Sequence, residues 1–410
     1  MRLRIKEICD YVSRGTTPDY VDEGANKVMN QATFSKGWLD ESNIRYTSKA
    51  NKGARIMKGD LLMASTGGGV LGKVFFFDND DDSFYADSHV TIMRNSKGVN
   101  LMKYLYYYFY LRYDEINATM VKGSTNQTEL QRNYLLSYEL DVPILVDQQR
   151  MVTYLDTKLS EIDHQVSILT SKRDAYLRLK KSIINHAVTR GLDPNVKMKD
   201  SGIEWIGEVP EHWEVKRMKE LSAIGSGTTP KSGEDKYYEN GIHSWLNTSD
   251  VQNCVINEAK FSITDKALND YSVLKYYPIG TILIAMYGGG TIGNVALMNI
   301  SATINQACCA IVSNEKLLLP KYLFSYLKCY KKKIISLGFG GTQVNLSQAI
   351  IAQLPVALPP LPEQHAIATY LDDKCAKIDT IVSNLDKQIR RYGDLKRSLI
   401  DEVITGKRAV

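Results

Sequence analysis

An internal repeat constrains this chain more than any other feature of its sequence. Residues 143–189 align with residues 359–405 at an offset of 216, and 19 of the 47 aligned pairs are identical. Weaker matches precede them, since Gly15-Thr16-Thr17-Pro18 returns as Gly227-Thr228-Thr229-Pro230 and Gly67-Gly68-Gly69 returns as Gly288-Gly289-Gly290. A period of about half the chain indicates a repeated structural unit. The 410 residues are therefore predicted to form one unit of about 205 residues, present twice.

The first part of each unit, about 140 residues, is rich in short β-like runs. Examples are residues 74–77, 281–284 and 309–312, which are separated by glycine and Asn-Asp clusters. One helix is predicted over 101–117 and its counterpart over 320–336. The tyrosines of the first helix, Tyr104, Tyr107 and Tyr108, are interpreted as core residues, with a base-stacking platform as the alternative.

The second part of each unit is predicted to be one long helix with heptad spacing of its apolar residues. A helix of about 45 residues would be roughly 65–70 Å long at ~1.5 Å per residue. It cannot bury such a seam alone, so we favour an antiparallel coiled coil between the two copies over a helix lying on its own domain. The seam residues are Val152, Leu155, Leu159, Ile162, Val166 and Leu169, with Leu371, Ile378, Val382, Leu385, Ile389 and Leu399.

The predicted fold class is α+β, with two pseudo-symmetric mixed β domains joined by the two long helices. The ranges are 1–142 for the first domain, 143–190 for the first helix, 191–213 for a linker, 214–358 for the second domain and 359–407 for the second helix. Gly191 can end the first helix and Pro194 prevents it from resuming.

Composition and motifs exclude several classes of protein. A net charge of +5 permits an anionic partner but is modest for a nucleic-acid binder. The six cysteines form no C-x-x-C pair, and neither an apolar run of membrane length nor a signal peptide is present, which predicts an intracellular protein with reduced thiols. Two G-x-G-x-x-G matches precede strand-like rather than helical residues, so we interpret them as turns and not as nucleotide sites. We find no catalytic or metal-binding spacing.

The whole chain resembles the specificity subunit of type I restriction-modification systems. The resemblance rests on the start of the second long helix, residues 358–364, and on the ends of the two long helices, residues 180–184 and 396–400. It also rests on the junction between the two copies, residues 200–213, which ends in Glu211-His212-Trp213. The first copy lacks this lead-in and reads Val146-Asp147-Gln148-Gln149 where the family usually has Pro-Glu-Gln.

The resemblance implies a subunit that is not itself an enzyme. Each domain would read one half of a bipartite, asymmetric site on double-stranded DNA, and the helices would set the spacing and dock two methyltransferase subunits and, through them, restriction subunits. The chain itself would bind no cofactor, because S-adenosylmethionine, ATP and magnesium are expected on the partner subunits. It would work in the prokaryotic cytoplasm.

Polar loops supply the candidate DNA contacts, because Asn and Gln suit adenine, Arg and Lys suit guanine, and Ser and Thr suit either. A capped turn or a phosphate contact is the alternative for each. The candidates are Arg14, Thr16, Thr17, Ser65, Thr66, Lys122, Ser124, Thr125, Asn126, Gln127, Thr228, Thr229, Lys231, Tyr287, Thr342, Gln343 and Asn345. A nucleotide-dependent enzyme, a coiled-coil adaptor that ignores DNA, and a methyltransferase-nuclease fusion are the rival hypotheses.

Overall fold

The computed structural model describes residues 1–49, 51–96, 98–122, 128–340 and 344–410, and they form two compact units. Unit 1 comprises residues 1–170 and 387–410, and unit 2 comprises residues 171–386. The long helices contribute to both units, so each unit is one β-rich domain together with one half of each helix.

Unit 1 is built on two four-stranded sheets. Its strands are β1 (Arg2–Arg4), β2 (Tyr11–Arg14), β3 (Tyr20–Val21), β4 (Asn26–Met29), β5 (Arg45–Thr47), β6 (Leu61–Ala64), β7 (Val74–Phe76), β8 (Phe84–Ala86), β9 (Val90–Arg94), β10 (Val121–Lys122), β11 (Glu129–Leu130) and β12 (Glu139–Asp141). Its helices are α1 (Ile5–Ile8), α2 (Val99–Leu111), α3 (Tyr113–Thr119), α4 (Arg132–Ser137) and the first part of α5 (Leu145–Arg190), which continues into unit 2. One sheet has the order β2-β9-β6-β7 and the other β3-β5-β4-β8, with β1–β12 and β10–β11 as separate pairs.

Unit 2 has the same plan with a wider central sheet. Its strands are β13 (Met198–Asp200), β14 (Glu208–Pro210), β15 (Glu214–Arg217), β16 (Ser222–Ser226), β17 (His243–Leu246), β18 (Val255–Ile256), β19 (Phe261–Ile263), β20 (Ile282–Ala285), β21 (Val295–Met298), β22 (Thr303–Ile304), β23 (Cys308–Ser313) and β24 (Pro355–Leu358). Its helices are α6 (Met218–Leu221), α7 (Asp265–Asp270), α8 (Pro320–Ser336), α9 (Gln348–Ala352) and the first part of α10 (Leu361–Ile404), which continues into unit 1. The sheets have the orders β16-β23-β20-β21-β18 and β19-β17-β22.

The central strands are buried on both faces. All four residues of β6 and all four of β20 are shielded from solvent, which is why these segments read as continuous apolar runs without alternation. Tyr104, Tyr107 and Tyr108 of α2 lie in the core of unit 1, as predicted. The predicted helix over 101–117 is divided, because the backbone of Arg112 leaves the helical region at φ −103° and ψ 23°.

The long helices pack antiparallel within each unit. In unit 1 the first half of α5 shares a core with the end of α10, and Lys396 forms an ion pair with Asp163 at 2.8 Å. In unit 2 Lys180 forms an ion pair with Asp379 at 2.5 Å. Equivalent lysines and aspartates of the two copies therefore form the same ion pair in each unit.

Most of the predicted seam is buried, and the remainder is half-buried. The buried members are Val152, Leu155, Leu159, Ile162, Leu371, Ile378, Leu385 and Leu399, and the half-buried ones are Val166, Leu169, Val382 and Ile389. The buried seam and the ion pairs between α5 and α10 confirm the coiled coil predicted from the heptads, and the buried α5 residues of unit 1 also pack against the core of their own domain.

The segment 191–213, predicted to be a linker, is folded into unit 2. Strands β13 and β14 are antiparallel, with Met198 opposite Pro210 and Asp200 opposite Glu208. Trp213 is fully buried. Trp213 donates its indole N–H to Glu363 Oε2 at 3.1 Å, and His212 Nε2 lies 2.7 Å from the same oxygen. Asp147 occupies the position of unit 1 that is equivalent to Glu363.

Candidate nucleic-acid interface

The predicted residues of unit 1 gather at one end of the sheet β2-β9-β6-β7. Arg14, the last residue of β2, lies opposite Thr91 of β9, and Thr91 lies opposite Met63 of β6. The segments that follow β2 and β6, which hold Thr16, Thr17 and Thr66, therefore leave the sheet side by side.

Gly15 is required where the chain leaves β2. A Cβ atom at this position would lie 2.2 Å from the carbonyl oxygens of both Ala86 and Asp87, so no other residue fits without a shift of backbone. This close approach places Thr16 and Thr17 in a groove of about 180 Å³ whose wall includes Lys49.

The hydroxyls of Ser65 and Thr66 have different environments. Ser65 is buried and its Oγ lies 2.6 Å from Oγ1 of Thr91, so the prediction that its side chain contacts DNA is corrected to a supporting role inside the sheet. Thr66 is half-buried, and its Oγ1 lies 2.7 Å from Nδ1 of the exposed His89.

The glycine-rich segments are turns, and the strand predicted after the first of them is β7. Gly67, Gly69 and Gly72 all have positive φ, as do Gly288 and Gly290 in unit 2. L-residues with side chains rarely adopt this conformation. The glycines therefore serve turn geometry, which removes the basis for a dinucleotide site.

An Arg–Glu ion pair completes the edge of unit 1. Arg14 Nη1 donates to Glu129 Oε1, and Glu129 is held by a main-chain bridge to Thr66. Lys122 belongs to β10, the partner strand of β11, whereas the predicted contacts Ser124, Thr125, Asn126 and Gln127 lie outside the described residues.

Unit 2 repeats this arrangement with different side chains. A Cβ atom on Gly227 would lie only 1.7 Å from the Ile304 carbonyl oxygen, so the glycine is again required by close backbone approach. Thr229 Oγ1 donates to the side-chain oxygen of Gln306, and the carbonyl oxygen of Thr228 accepts the Trp245 indole N–H at 3.2 Å.

The other predicted residues of unit 2 lie around the same edge. Lys231 is exposed and paired with Glu234 at 2.7 Å, and Tyr287 begins the glycine-rich turn. Asn345 forms a main-chain bridge with Phe339. Thr342 and Gln343 lie outside the described residues.

A buried carboxylate distinguishes the two edges electrostatically. Asp87 accepts a hydrogen bond from the His89 main-chain N–H at 2.8 Å, and burial raises the pKa of its carboxyl group. In unit 2 the neutral Asn305 accepts from Ala307 N at 3.1 Å in the same way. The same turn is therefore held by a carboxyl group in unit 1 and by a neutral amide in unit 2.

Sequence reasoning missed four polar residues at these edges, Asp87, His89, Glu129 and Gln306. The sequence signal for these positions is the repeat. Asp87 aligns with Asn305 at an offset of 218, and Glu129 aligns with Asn345 at an offset of 216, so polar residues stand at equivalent places in both copies. Neither pair stands in a recognisable motif.

Two kinds of site are absent from the described part of the chain. Across residues 1–49, 51–96, 98–122, 128–340 and 344–410, no group of three or more His, Cys, Asp or Glu side chains is arranged to hold a metal ion. No helix among those same residues has both the length and the hydropathy to span a membrane.

Comparisons with known proteins agree with the repeated architecture. A family model described as the type I restriction modification DNA specificity domain matches residues 1–169 and 210–391. A putative type I restriction enzyme MjaX specificity subunit of Methanocaldococcus jannaschii is 23% identical over 413 residues, which cover 98% of this chain and 92% of that protein. The EcoR124I/EcoR124II specificity subunit of Escherichia coli is 23% identical over 388 residues, covering 92% and 85%.

The fold is also found among solved structures. A chain from a type I R-M system structure concerned with complex assembly and conformational transition superposes with a TM-score of 0.74 at 15% identity, over 98% of this chain and 97% of that one. Since the family model matches both domains and most of both long helices, this chain belongs to the type I restriction modification DNA specificity domain family.

Proposed function

We propose that this chain is the DNA-recognition subunit of a type I restriction-modification complex and that each β domain reads one half of a bipartite site. One observation carries the proposal. Both domains bring a Gly-Thr-Thr segment, a glycine-rich turn and a third segment, Glu129–Leu130 in unit 1 and residues 345–346 in unit 2, to the same end of one sheet. Such a cluster of exposed polar loops on a rigid sheet suits recognition of base edges and phosphates.

The side chains at the two edges differ, so the two half-sites should differ as well. Arg14 in unit 1 corresponds to Ser226 in unit 2, because each lies opposite the equivalent residue of the next strand, Thr91 or Cys309. An arginine and a serine offer different hydrogen-bond donors to a base pair. The target is therefore an asymmetric sequence with an unread gap.

The long helices are proposed to set that gap and to dock two methyltransferase subunits, which in turn hold the restriction subunits. Both helices carry exposed polar side chains, including Lys158 and Glu161 on α5 and Asp373 and Lys377 on α10, and such faces offer a surface for another protein. S-adenosylmethionine, ATP and magnesium would be bound by the partner subunits, with the complex acting in the prokaryotic cytoplasm.

Methylation mapping tests the proposal directly. The chain is expressed with its methyltransferase subunit in a host without other adenine methylation, and modified positions are mapped by sequencing. A single bipartite motif with two different half-sites is the expected result. Expression of the methyltransferase subunit alone is the control and should give no such motif. Methylation without a bipartite motif would contradict the proposal.

The rival adaptor hypothesis makes a different prediction for binding. An adaptor that ignores DNA would leave the affinity of the assembled methyltransferase independent of the sequence of the duplex. Recognition through phosphates and bases predicts preference for the mapped site together with a steep loss of affinity as salt increases. The purified chain without partners should show no S-adenosylmethionine turnover and no ATP hydrolysis, and measurable turnover would contradict a non-catalytic role.

A further inference from the structure

The edge of unit 1 carries a partly exposed Arg–Glu pair, and uncharged residues stand at the equivalent positions of unit 2. Arg14 at the end of β2 is paired with Glu129 at the start of β11. The corresponding residues of unit 2 are Ser226, at the end of β16, and Asn345, which precedes Leu346 as Glu129 precedes Leu130. The two units therefore share the backbone arrangement at these positions and differ in the charge of the side chains.

The main chain fixes both members of this pair. Leu130 N donates to Ser65 O at 2.8 Å and Glu129 bridges Thr66, so β11 is attached to the strand that starts the glycine-rich turn. Arg14 is fixed by the sheet ladder opposite Thr91. The side chain of Arg14 is 34% exposed and that of Glu129 is 48% exposed, so a ligand can reach both.

The guanidinium retains donors for a ligand. Glu129 accepts from Nη1, and a guanidinium has five N–H donors in a planar fork. Nε of Arg14 is shielded from solvent, so the donors left for a ligand are the N–H groups of Nη1 and Nη2 that Glu129 does not use. An arginine held on one side by a carboxylate is oriented in advance, so less side-chain entropy is lost when it binds a second acceptor.

We infer that Arg14 reads a guanine in the half-site bound by unit 1 and that Glu129 is its positioning residue. This inference rests on the proposed function. Guanine presents two acceptors, O6 and N7, to the major groove, and an arginine fork matches both. Adenine has an amino donor in place of O6 and would meet the guanidinium donors unfavourably. Ser226 lacks such a fork, so this contact is confined to one half-site.

The test compares methylation motifs and binding for the chain assembled with its methyltransferase subunit. Arg14→Ala should lower discrimination at one G·C position of one half-site by roughly 5- to 150-fold and leave the other half-site unchanged. Arg14→Lys should retain part of the preference, because lysine offers donors without the planar fork. Glu129→Gln should weaken the preference for guanine without reversing it.

A matched control is available in the same unit. Arg2 forms an exposed ion pair with Glu139 at 2.8 Å on the separate β1–β12 ladder. Arg2→Ala removes the same kind of charge pair away from the proposed edge, and the motif should not change. The unaffected half-site and an unchanged thermal unfolding curve show that each variant is folded.

Three outcomes would overturn the inference. If Arg14→Ala weakens binding to all duplexes equally, Arg14 contacts phosphate. If the motif and the affinity are both unchanged, the pair is structural only. If the relaxed position is an A·T pair, the assignment to guanine is wrong. A wild-type chain that produces no bipartite motif would instead refute the proposed function, so the two failures are distinguishable.

Discussion

The repeated glutamine at the start of each long helix allows the sharpest test of the packing. Gln364 is fully buried, and its side-chain oxygen accepts a hydrogen bond from Leu319 N at 2.7 Å. Its amide group donates to Leu317 O at 2.8 Å and to Pro359 O at 2.9 Å. Gln364 therefore connects the first turn of α10 to the segment that starts α8.

Gln148 is the equivalent residue in unit 1, and it makes fewer contacts. Its amide group donates to Pro143 O at 2.7 Å, but its side-chain oxygen is buried and has no partner among the described residues. Replacing each glutamine with leucine keeps a similar volume and removes the amide. The two substitutions are thus matched in chemistry and differ in the hydrogen bonds lost.

We expect Gln364→Leu to lower the free energy of unfolding of unit 2 by about 3–5 kcal/mol. Three hydrogen bonds are lost at about 1 kcal/mol each, and buried main-chain groups are left unpaired at an additional cost. Gln148→Leu should cost about 1 kcal/mol or less, because it loses one bond and also removes an unpaired buried oxygen.

Hydrogen exchange measured by mass spectrometry along a urea titration resolves the two units separately, as a two-domain chain need not unfold in one transition. Peptides from α8 report on Gln364→Leu and peptides from α2 report on Gln148→Leu. An equal or larger loss of stability for Gln148→Leu would refute the reasoning, since it would mean that hydrogen-bond satisfaction does not distinguish the two sites.

Three further predictions concern single substitutions and thiol reactivity. Gly227→Ala should abolish DNA binding by the assembled methyltransferase in a gel-shift assay, because its Cβ would come within 1.7 Å of a main-chain carbonyl oxygen. Cys254 is exposed and should react with a thiol reagent at pH 8, whereas burial raises the pKa of Cys309 to about 12 and should keep it as an unreactive thiol until the chain unfolds. Lys396→Ala removes one exposed ion pair of the coiled coil and should change the free energy of unfolding by less than about 1 kcal/mol in urea titrations.

Local patterns in the sequence predicted the helices well. The helix expected over 320–336 is α8, with Pro320 at its first turn where its missing N–H is not needed. The long helix expected over 143–190 begins at Leu145 and ends at Arg190, followed by Gly191 in the left-handed region. Heptad spacing and the glycine signal are properties of neighbouring residues, so they can be read without tertiary information.

The segment 191–213 shows where local patterns fail. Its Pro, Gly and charged residues are typical of a linker, yet Trp213 is buried in the apolar core of unit 2 and donates its indole N–H to Glu363, 150 residues away. Nothing near Trp213 in the chain indicates that partner. Glu363 also lies beside the end of α5, where a Cβ on Gly191 would come 2.7 Å from its Oε1.

The sequence by itself determined the repeat, the seam and the family resemblance, since each is a comparison of residues along the chain. Only the tertiary structure decided which polar groups meet. Arg14 and Glu129 are 115 positions apart, and Thr229 and Gln306 are 77 apart, so their pairing depends on the strand register that closes each sheet. The same long-range register hides Ser65, which the sequence presents as an exposed polar residue. It also gives the identical glutamines Gln148 and Gln364 different hydrogen bonds, because the buried main-chain groups around them belong to segments that diverged between the copies.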